Sequence, residues 1–251
     1  MQLAGNTVLV TGGTSGIGYA MAQAFLTAGS MVAVCGRSDA HLTEAKKSHP
    51  TLHVRKCDLA KEADRQSLLD WVSSELPGLN VLVNNAGIQR DIDFGQGLGG
   101  FLSGENEIRI NLEAPIVLTG LLIPLLAKNA RPAIINVSSG LGFVPAARMP
   151  VYSATKAGLH AFSMALRLQL ETRGIKVFEV VPPPVDTNLN PEGRAKRGNF
   201  KAGLSASQFV SPVMKALEQD IPEIGYGMTA GFIHASRSEL DASFRQMNAR
   251  L

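Results

Sequence analysis

Long apolar runs, cysteines and surplus charge are all scarce in this 251-residue chain. No stretch reaches the ~18 uninterrupted apolar residues that a membrane helix requires. The nearest, 114–127, is broken by Pro115, Thr119 and Gly120, so no membrane association is expected. Residues 1–10 have neither a basic start nor a long apolar core, and a secretory signal is not expected either. Cys35 and Cys57 are the only cysteines. Neither has a second cysteine or clustered histidines beside it, which leaves no metal site to propose. Two thiols in a chain long enough to bury its own core point to a reducing compartment, so the expected location is cytoplasmic. Lys+Arg 24 against Asp+Glu 21 leaves +3, too little to argue for a nucleic-acid partner. The one local basic run, Arg194-Ala195-Lys196-Arg197 with Lys201 beyond it, reads as a solvated loop.

What is present is a globular composition, 45% apolar, arranged as alternating strand-like and helix-like segments. Strands are expected at Thr7–Thr11, 31–35, 52–56, 80–83, Ala133–Val137, Lys176–Val181 and, briefly, within 221–228. Helical periodicity marks 16–28, 39–47, 62–76, 105–126, 151–172 and 205–219. Ser205 or Ser207 is the expected cap of the last of these. The helix at 105–126 has Pro115 and Pro124 as expected bends. The glycine-rich stretch between Asp91 and Glu105 reads as a loop. The segment 182–203 reads as an irregular substrate loop. The tail 232–251 reads as one amphipathic helix with the stripe Leu240, Phe244, Met247 and Leu251. The strands are continuous apolar runs rather than alternating ones, the pattern of a parallel sheet covered on both faces. The expected architecture is one α/β domain over 1–251: a Rossmann-type doubly wound parallel sheet of about seven strands.

After the first strand stands Thr11-Gly12-Gly13-Thr14-Ser15-Gly16-Ile17-Gly18. Gly12 permits a tight turn out of the strand. Gly16 and Gly18 let the backbone approach a ligand and the helix approach the sheet, so that the helix N-terminus faces a pyrophosphate. The spacing is T-G-x-x-x-G-x-G. Three further motifs follow in order: Asn84-Asn85-Ala86-Gly87 after the fourth strand, Asn136-Val137-Ser138-Ser139 at the fifth, and Tyr152-Ser153-Ala154-Thr155-Lys156 on the long helix. Together they resemble the classical short-chain dehydrogenases/reductases over roughly residues 5–190. More narrowly, Ile88-Gln89-Arg90 and the run Val181-Pro182-Pro183-Pro184-Val185-Asp186-Thr187-Asn188 resemble bacterial members associated with teichoic-acid D-alanylation genes.

The resemblance implies a nicotinamide cofactor held by Gly12, Thr14, Ser15, Gly16, Ile17, Gly18, Arg37, Asp58, Leu59, Asn85, Ala86, Gly87, Tyr152, Lys156, Pro182, Val185 and Thr187. Asp58 would meet adenine and Thr187 the carboxamide. At the end of the second strand Arg37 stands where a carboxylate would select the ribose 2′-hydroxyl. A guanidinium fork suits a 2′-phosphate, so NADP(H) is the expected cofactor, with NAD(H) possible. The glycine turn carries Thr14 and Ser15 rather than an extra basic residue.

Carbonyl reduction needs a proton donor beside the carbonyl oxygen. Tyr152 can supply it if a cation favours its phenolate, and Lys156 lies four residues on, on the same helix face. The resemblance adds Ser139 as a hydrogen-bond partner of the substrate oxygen. It adds Asn111 as the holder of a water that links Lys156 to solvent. The expected activity is therefore the interconversion of a small-molecule carbonyl compound and a secondary alcohol. A non-catalytic nucleotide-binding regulator is one competing reading. A hydrolase using Ser139 with His160 or His234 is another, and no G-x-S-x-G elbow supports it. Pro183 replaces a glycine that the family has after the sixth strand, removing an N–H from the pocket floor. Gln89, Arg90, Phe94, Phe143 and Met149 are candidate substrate walls. The two long helices carry more apolar residues than a sheet-facing stripe needs, including Val117, Leu121, Met164 and Ala165, so a homodimer through them is expected.

Overall fold

A computed structural model of the chain describes residues 1–196, 198 and 203–249. Seven strands, β1 (Thr7–Thr11), β2 (Met31–Gly36), β3 (His53–Lys56), β4 (Val81–Asn84), β5 (Ala133–Val137), β6 (Lys176–Val181) and β7 (Glu223–Gly225), form one parallel sheet in the order β3-β2-β1-β4-β5-β6-β7. The expected doubly wound fold is present. The chain leaves β1 toward one edge and returns at β4 on the other side of β1, which creates a crevice at their C-terminal ends.

Helices α1 (Gly16–Thr27) and α8 (Ala206–Glu218) pack against one face, where Met21, Phe25 and Phe209 are fully enclosed. α3 (Glu62–Glu75), α5 (Ala114–Leu126) and α6 (Pro150–Glu171) cover the other through Leu68, Val72, Leu118, Leu122, Leu166 and Leu170. α2 (Asp39–Ser48) covers the β2–β3 edge on the first face through Ala45. Burial on both faces explains why the strands carry unbroken apolar runs: every residue of β4 and of β5 is buried. The segment Arg109–Leu126 is long and apolar enough to cross a membrane, with a mean hydropathy of 1.5. Its buried side chains lie on the sheet, as in the core helix of a globular domain.

Four expectations need correction. The helix expected at 105–126 is a π-helical turn, Arg109–Glu113, running into α5. Asn106 precedes it and its Oδ1 accepts from the Ile108 and Arg109 N–H groups. Pro115 is the second residue of α5, directly after the π-helical turn, and without an N–H it donates nothing to that turn. The glycine-rich loop contains a 3₁₀ turn, Phe94–Gln96, and a short helix α4 (Gly99–Leu102), gathered around the Arg90 guanidinium, which donates to the carbonyls of Gly100, Phe101 and Glu105. The loop after β6 contains α7 (Pro191–Lys196). Arg197 and Lys201 lie outside the described residues.

The tail is two helices, α9 (Met228–His234) and α10 (Arg237–Asn248), rather than one. The break is made by a capping box: the Ser236 side chain accepts from Glu239 N, and the Glu239 carboxylate accepts from Ser236 N. The same device starts α8, where Ser205 is the cap and Gln208 its partner. α10 folds over its own subunit. Asn248 accepts from Ala147 N and donates to Pro145 O, which ties the end of the helix to the loop before α6. Leu251 of the expected stripe lies outside the described residues.

Candidate active site

The crevice at the switch point is held by Thr11 and Asn85. Thr11 Oγ1 accepts from the N–H groups of Asn85 and Ala86, and Asn85 Nδ2 donates to the carbonyls of Thr11 and Gly12. Gly12 has a φ of +61°, and a Cβ there would lie 2.8 Å from Ala86 Cα. A Cβ on Gly18 would lie 2.2 Å from Asn85 Nδ2. These two glycines are therefore demanded by the approach of one loop to the other. Gly18 packs there and does not line the cavity.

Around the crevice lies a cavity of about 620 Å³. It brings together Gly12, Thr14, Ser15, Gly16, Ile17, Arg37, Asp58, Leu59, Asn85, Ala86, Gly87, Ser139, Tyr152, Lys156, Pro182, Val185 and Thr187. Of the expected catalytic and cofactor-binding residues, Gly18 and Asn111 are not in its lining. The cavity fits an extended dinucleotide on an observation independent of the motifs. The first turn of α1 has no acidic residue, and its cap Ser15 makes no side-chain capping bond, so the positive helix end is left for an anion. Tyr152 and Lys156 stand at the other end of the cavity.

At the adenosine end, Arg37 forms an ion pair with Glu105. Asp58 Oδ1 accepts from Ala60 N, and Lys61 lies 4.0 Å from its Oδ2. Cys35 and Cys57 are buried free thiols in the same wall. The Cys57 hydrogen bond and burial both push the Cys35 thiol up, so it stays protonated.

At the other end, Ser139 lies two residues past β5 and caps a 3₁₀ turn, Gly140–Gly142, its hydroxyl accepting from Leu141 N. Ser138 points into the sheet and donates to Val180 O. Burial pushes the Tyr152 phenol up to about 12; the Ser139 hydrogen bond pulls against that, and the charge of Glu107 adds to it. Lys156 Nζ donates to Val137 O at 2.8 Å and lies 5.7 Å from the Tyr152 ring centroid. Burial lowers the lysine to about 8, and the charge of Glu179 acts in the opposite direction. Asn111 stands in the π-helical turn behind Gly87. Its Oδ1 accepts from Ile88 N, and its Nδ2 donates to Ile88 O and Thr155 Oγ1. Its amide thus fastens the loop after β4 to α6.

Sequence reasoning missed a buried pair behind Lys156. Glu179 on β6 is 0% exposed; its Oε2 lies 2.7 Å from His160 Nδ1, one helical turn beyond Lys156, and its Oε1 has no hydrogen bond among the described residues. The bond to Glu179 raises the His160 pKa. Neither His160 nor His234 lines the cavity, so Ser139 has no histidine partner there. Glu179 stands between Phe178 and Val180, a single carboxylate inside an apolar strand. Only the strand register, which sets Glu179 beside Asn136, exposes the pair.

Of the expected substrate walls, Gln89 and Met149 line the cavity. Arg90 is turned to the backbone of 100–105, Phe94 stacks on Phe101, and Phe143 packs on His160. Walls not foreseen come from Met228 and Phe232 of α9 and Met247 of α10. The two flanking loops meet where Asn190 Nδ2 donates to Asp91 Oδ1.

Comparison with known proteins agrees with this geometry. The family model for short chain dehydrogenases matches residues 6–198. An uncharacterized oxidoreductase, DltE, of Bacillus subtilis (strain 168) is 44% identical over 250 residues, covering 100% of this chain and 99% of that one. A solved serine dehydrogenase complexed with NADP+ superposes with a TM-score of 0.77 at 26% identity, over 88% of this chain and 94% of that one. The fold is shared with a short-chain dehydrogenase/reductase from Burkholderia phymatum in complex with NAD, with a TM-score of 0.84 at 16% identity over 97% and 96% of the two chains. A seven-stranded parallel sheet, a glycine turn at its switch point and a Tyr–Lys pair in the same cavity thus coincide with full-length similarity to an oxidoreductase: the chain belongs to the short-chain dehydrogenase/reductase family of enzymes.

Proposed function

We propose that the enzyme is an NADP(H)-dependent oxidoreductase that interconverts a carbonyl compound and a secondary alcohol, with Tyr152 as general acid in reduction and general base in oxidation. The carrying observation is that Ser139, Tyr152 and Lys156 line one cavity with the glycine turn. The nicotinamide, when bound, supplies or accepts the hydride. Ser139 and Tyr152 hold the substrate oxygen from one side. A phenol held at about 12 keeps its proton throughout the neutral range and is ready to donate it as negative charge builds on that oxygen. Lys156 favours the phenolate left behind. Asn111 positions Ile88 and α6 through its amide. Both Nδ2 protons of that amide are already given to Ile88 O and Thr155 Oγ1, so a relay water could meet it only as a donor to Oδ1. The family's solubility and the two buried thiols fit a cytoplasmic location.

Support for NADP(H) comes from a second cleft, about 520 Å³, that adjoins the adenosine end. It is lined by Arg37, Arg55, Lys56 and Lys61 with Asp58 and Asp64 as its carboxylates. The surplus of cations suits a phosphate. The Arg37–Glu105 pair favours the second reading, NAD(H), because the fork must leave that carboxylate to reach a 2′-phosphate.

Tyr152→Phe keeps the ring and loses the O–H. It is expected to lower kcat/KM by about 10²–10⁴ while NADPH binding, followed by fluorescence titration, stays near wild type. Turnover close to wild type excludes Tyr152 as the acid. Arg37→Asp is expected to reverse the cofactor ratio of kcat/KM toward NADH, because a carboxylate accepts from ribose hydroxyls and repels a 2′-phosphate. An unchanged ratio overturns the assignment of Arg37.

The pH dependence has a defined sign. Lys156 is a cation below about 8 and loses its proton above, whereas Tyr152 stays protonated to about 12, so reduction is expected to weaken as pH rises through about 8. Glu179→Gln removes the buried negative charge that favours the lysine cation and should move this alkaline limb to lower pH. His160, Arg167 and Glu223, the other charged groups around Glu179, stay in place. A purely structural loss would lower kcat/KM at every pH and leave the limb where it is.

The dimer expected through the long helices is supported by exposed apolar side chains on them: Ile108 and Ile116 beside Met164 at 51% and Leu168 at 75% exposure. Light scattering at micromolar concentration should give twice 26.6 kDa, and a clean monomer mass refutes the interface.

A further inference from the structure

The substrate end of the cavity has a composition that narrows the substrate. Beyond Tyr152 its walls are mainly Leu141, Val144, Met149, Leu189, Phe232 and Met247, with Gln89, Asn188 and Thr229 as the polar side chains. Four of the apolar walls are long, unbranched or γ-branched chains that adapt to an apolar body. A polyhydroxylated substrate would bury hydroxyls against carbon here, which is costly without partners. Outer wall and lid are both fastened, by Asn248 to the 145–147 backbone and by Asn190 to Asp91, so this surface is built rather than open.

Besides Lys156, the charged residues at this end are two arginines, Arg148 and Arg194. Asp58, at the far adenosine end, is the one acidic residue in the lining. Arg194 donates to Val185 O. The Arg148 side chain is exposed and makes no hydrogen bond or ion pair among the described residues. Its backbone, by contrast, is fixed: Arg148 O accepts from Ile92 N at 3.0 Å, and Ala147 beside it is bound to Asn248. A guanidinium on an anchored backbone, at the mouth of an apolar cavity and with no protein carboxylate to satisfy it, is a recognition element for an anion.

We infer that the substrate is a carbonyl compound with an apolar body ending in a carboxylate, the carbonyl at Tyr152 and Ser139 and the carboxylate at Arg148. This rests on the reading of the chain as a carbonyl reductase.

The test uses the full-length enzyme with saturating NADPH and three kinds of probe: methyl-ketone acids of graded chain length, their methyl esters, and a ketose of similar size. At the best length the acid is expected to exceed its own ester in kcat/KM by roughly tenfold or more, the scale of one charge-assisted hydrogen bond at a partly exposed site. The ketose is expected to be the poorest. Arg148→Leu should bring the acid-to-ester ratio to about one, and Arg148→Lys should restore part of it, because a point charge keeps attraction without the fork. The ratio within one variant is independent of how much of that protein is active. Acids and esters reduced equally by wild type, a preferred ketose, or a ratio untouched by Arg148→Leu each overturn the anion site while leaving carbonyl reduction standing. NADPH bound but no ketone of any kind consumed overturns both.

Discussion

The interaction on which the rest of the molecule depends is the stitch between the ends of β1 and β4. Two parallel strands whose connections depart in opposite directions leave their C-terminal ends diverging, and polar backbone at such a place must find partners. Thr11 and Asn85 supply them from side chains: one hydroxyl accepts from two N–H groups, and one amide donates to two carbonyls. The glycine turn can close over Asn85 only because Gly12 and Gly18 have no Cβ. With the turn closed, the first N–H groups of α1 face the crevice. The cavity follows from this arrangement before any catalytic residue is placed in it.

The candidate catalytic groups are then positioned by the polar stripe of α6. Tyr152, Lys156, His160, Ser163 and Arg167 descend one side of the helix at spacings of three and four. Each of the last four finds a partner on the sheet: Val137 O, Glu179, Asn136, and Val177 O with Glu223. A helix packed on a sheet through so many buried polar contacts cannot slide by a residue without leaving several of them unsatisfied, each at about 1–3 kcal/mol. The stripe fixes the register that sets Tyr152 beside Ser139. It also sets the electrostatics. The same burial that raises Tyr152 lowers Lys156, and Glu179 is the charge in the helix–sheet seam that opposes the second effect.

The doubly wound parallel sheet, its helix layers and most of the lining from Gly12 to Thr187 were legible in the sequence, because they are written in local patterns: apolar strands, a helical period, and motifs whose residues are neighbours in the chain. What was not legible depends on pairs far apart in sequence. Glu179 and His160 belong to different elements and no spacing links them. The glycine-rich segment reads as a loop until Arg90, ten to fifteen residues before the carbonyls it binds, is seen to gather them. The tail is a different case. Ser236 and Glu239 do spell a capping box, but the apolar stripe through Leu240, Phe244 and Met247 reads as one continuous helix. The box wins because it satisfies N–H groups at the start of α10 that a continuous helix would leave no reason to cap. The consequence is functional: the break turns α10 back over the loop before α6 and brings Met247 to the cavity.

The Pro182-Pro183-Pro184 run shows how the same constraint reaches the other side of the cavity. A proline at 183 cannot donate from the backbone, so the loop after β6 needs a different anchor from one made by an N–H. It has one in the Pro182 carbonyl, which accepts from Gly140 N at 3.1 Å, directly beside Ser139. A second anchor is Arg194, which reaches back from α7 to Val185 O. Three successive residues with φ fixed near −65° lose little freedom on folding, so the floor is stiff before any ligand arrives. Thr187 then meets Gly16, its Cγ2 3.0 Å from where a Cβ would stand. The floor thus closes against the glycine turn on one side and the serine turn on the other. The proline run therefore joins the two ends of the cavity through acceptors and shape, where a glycine at position 183 would have kept an N–H available.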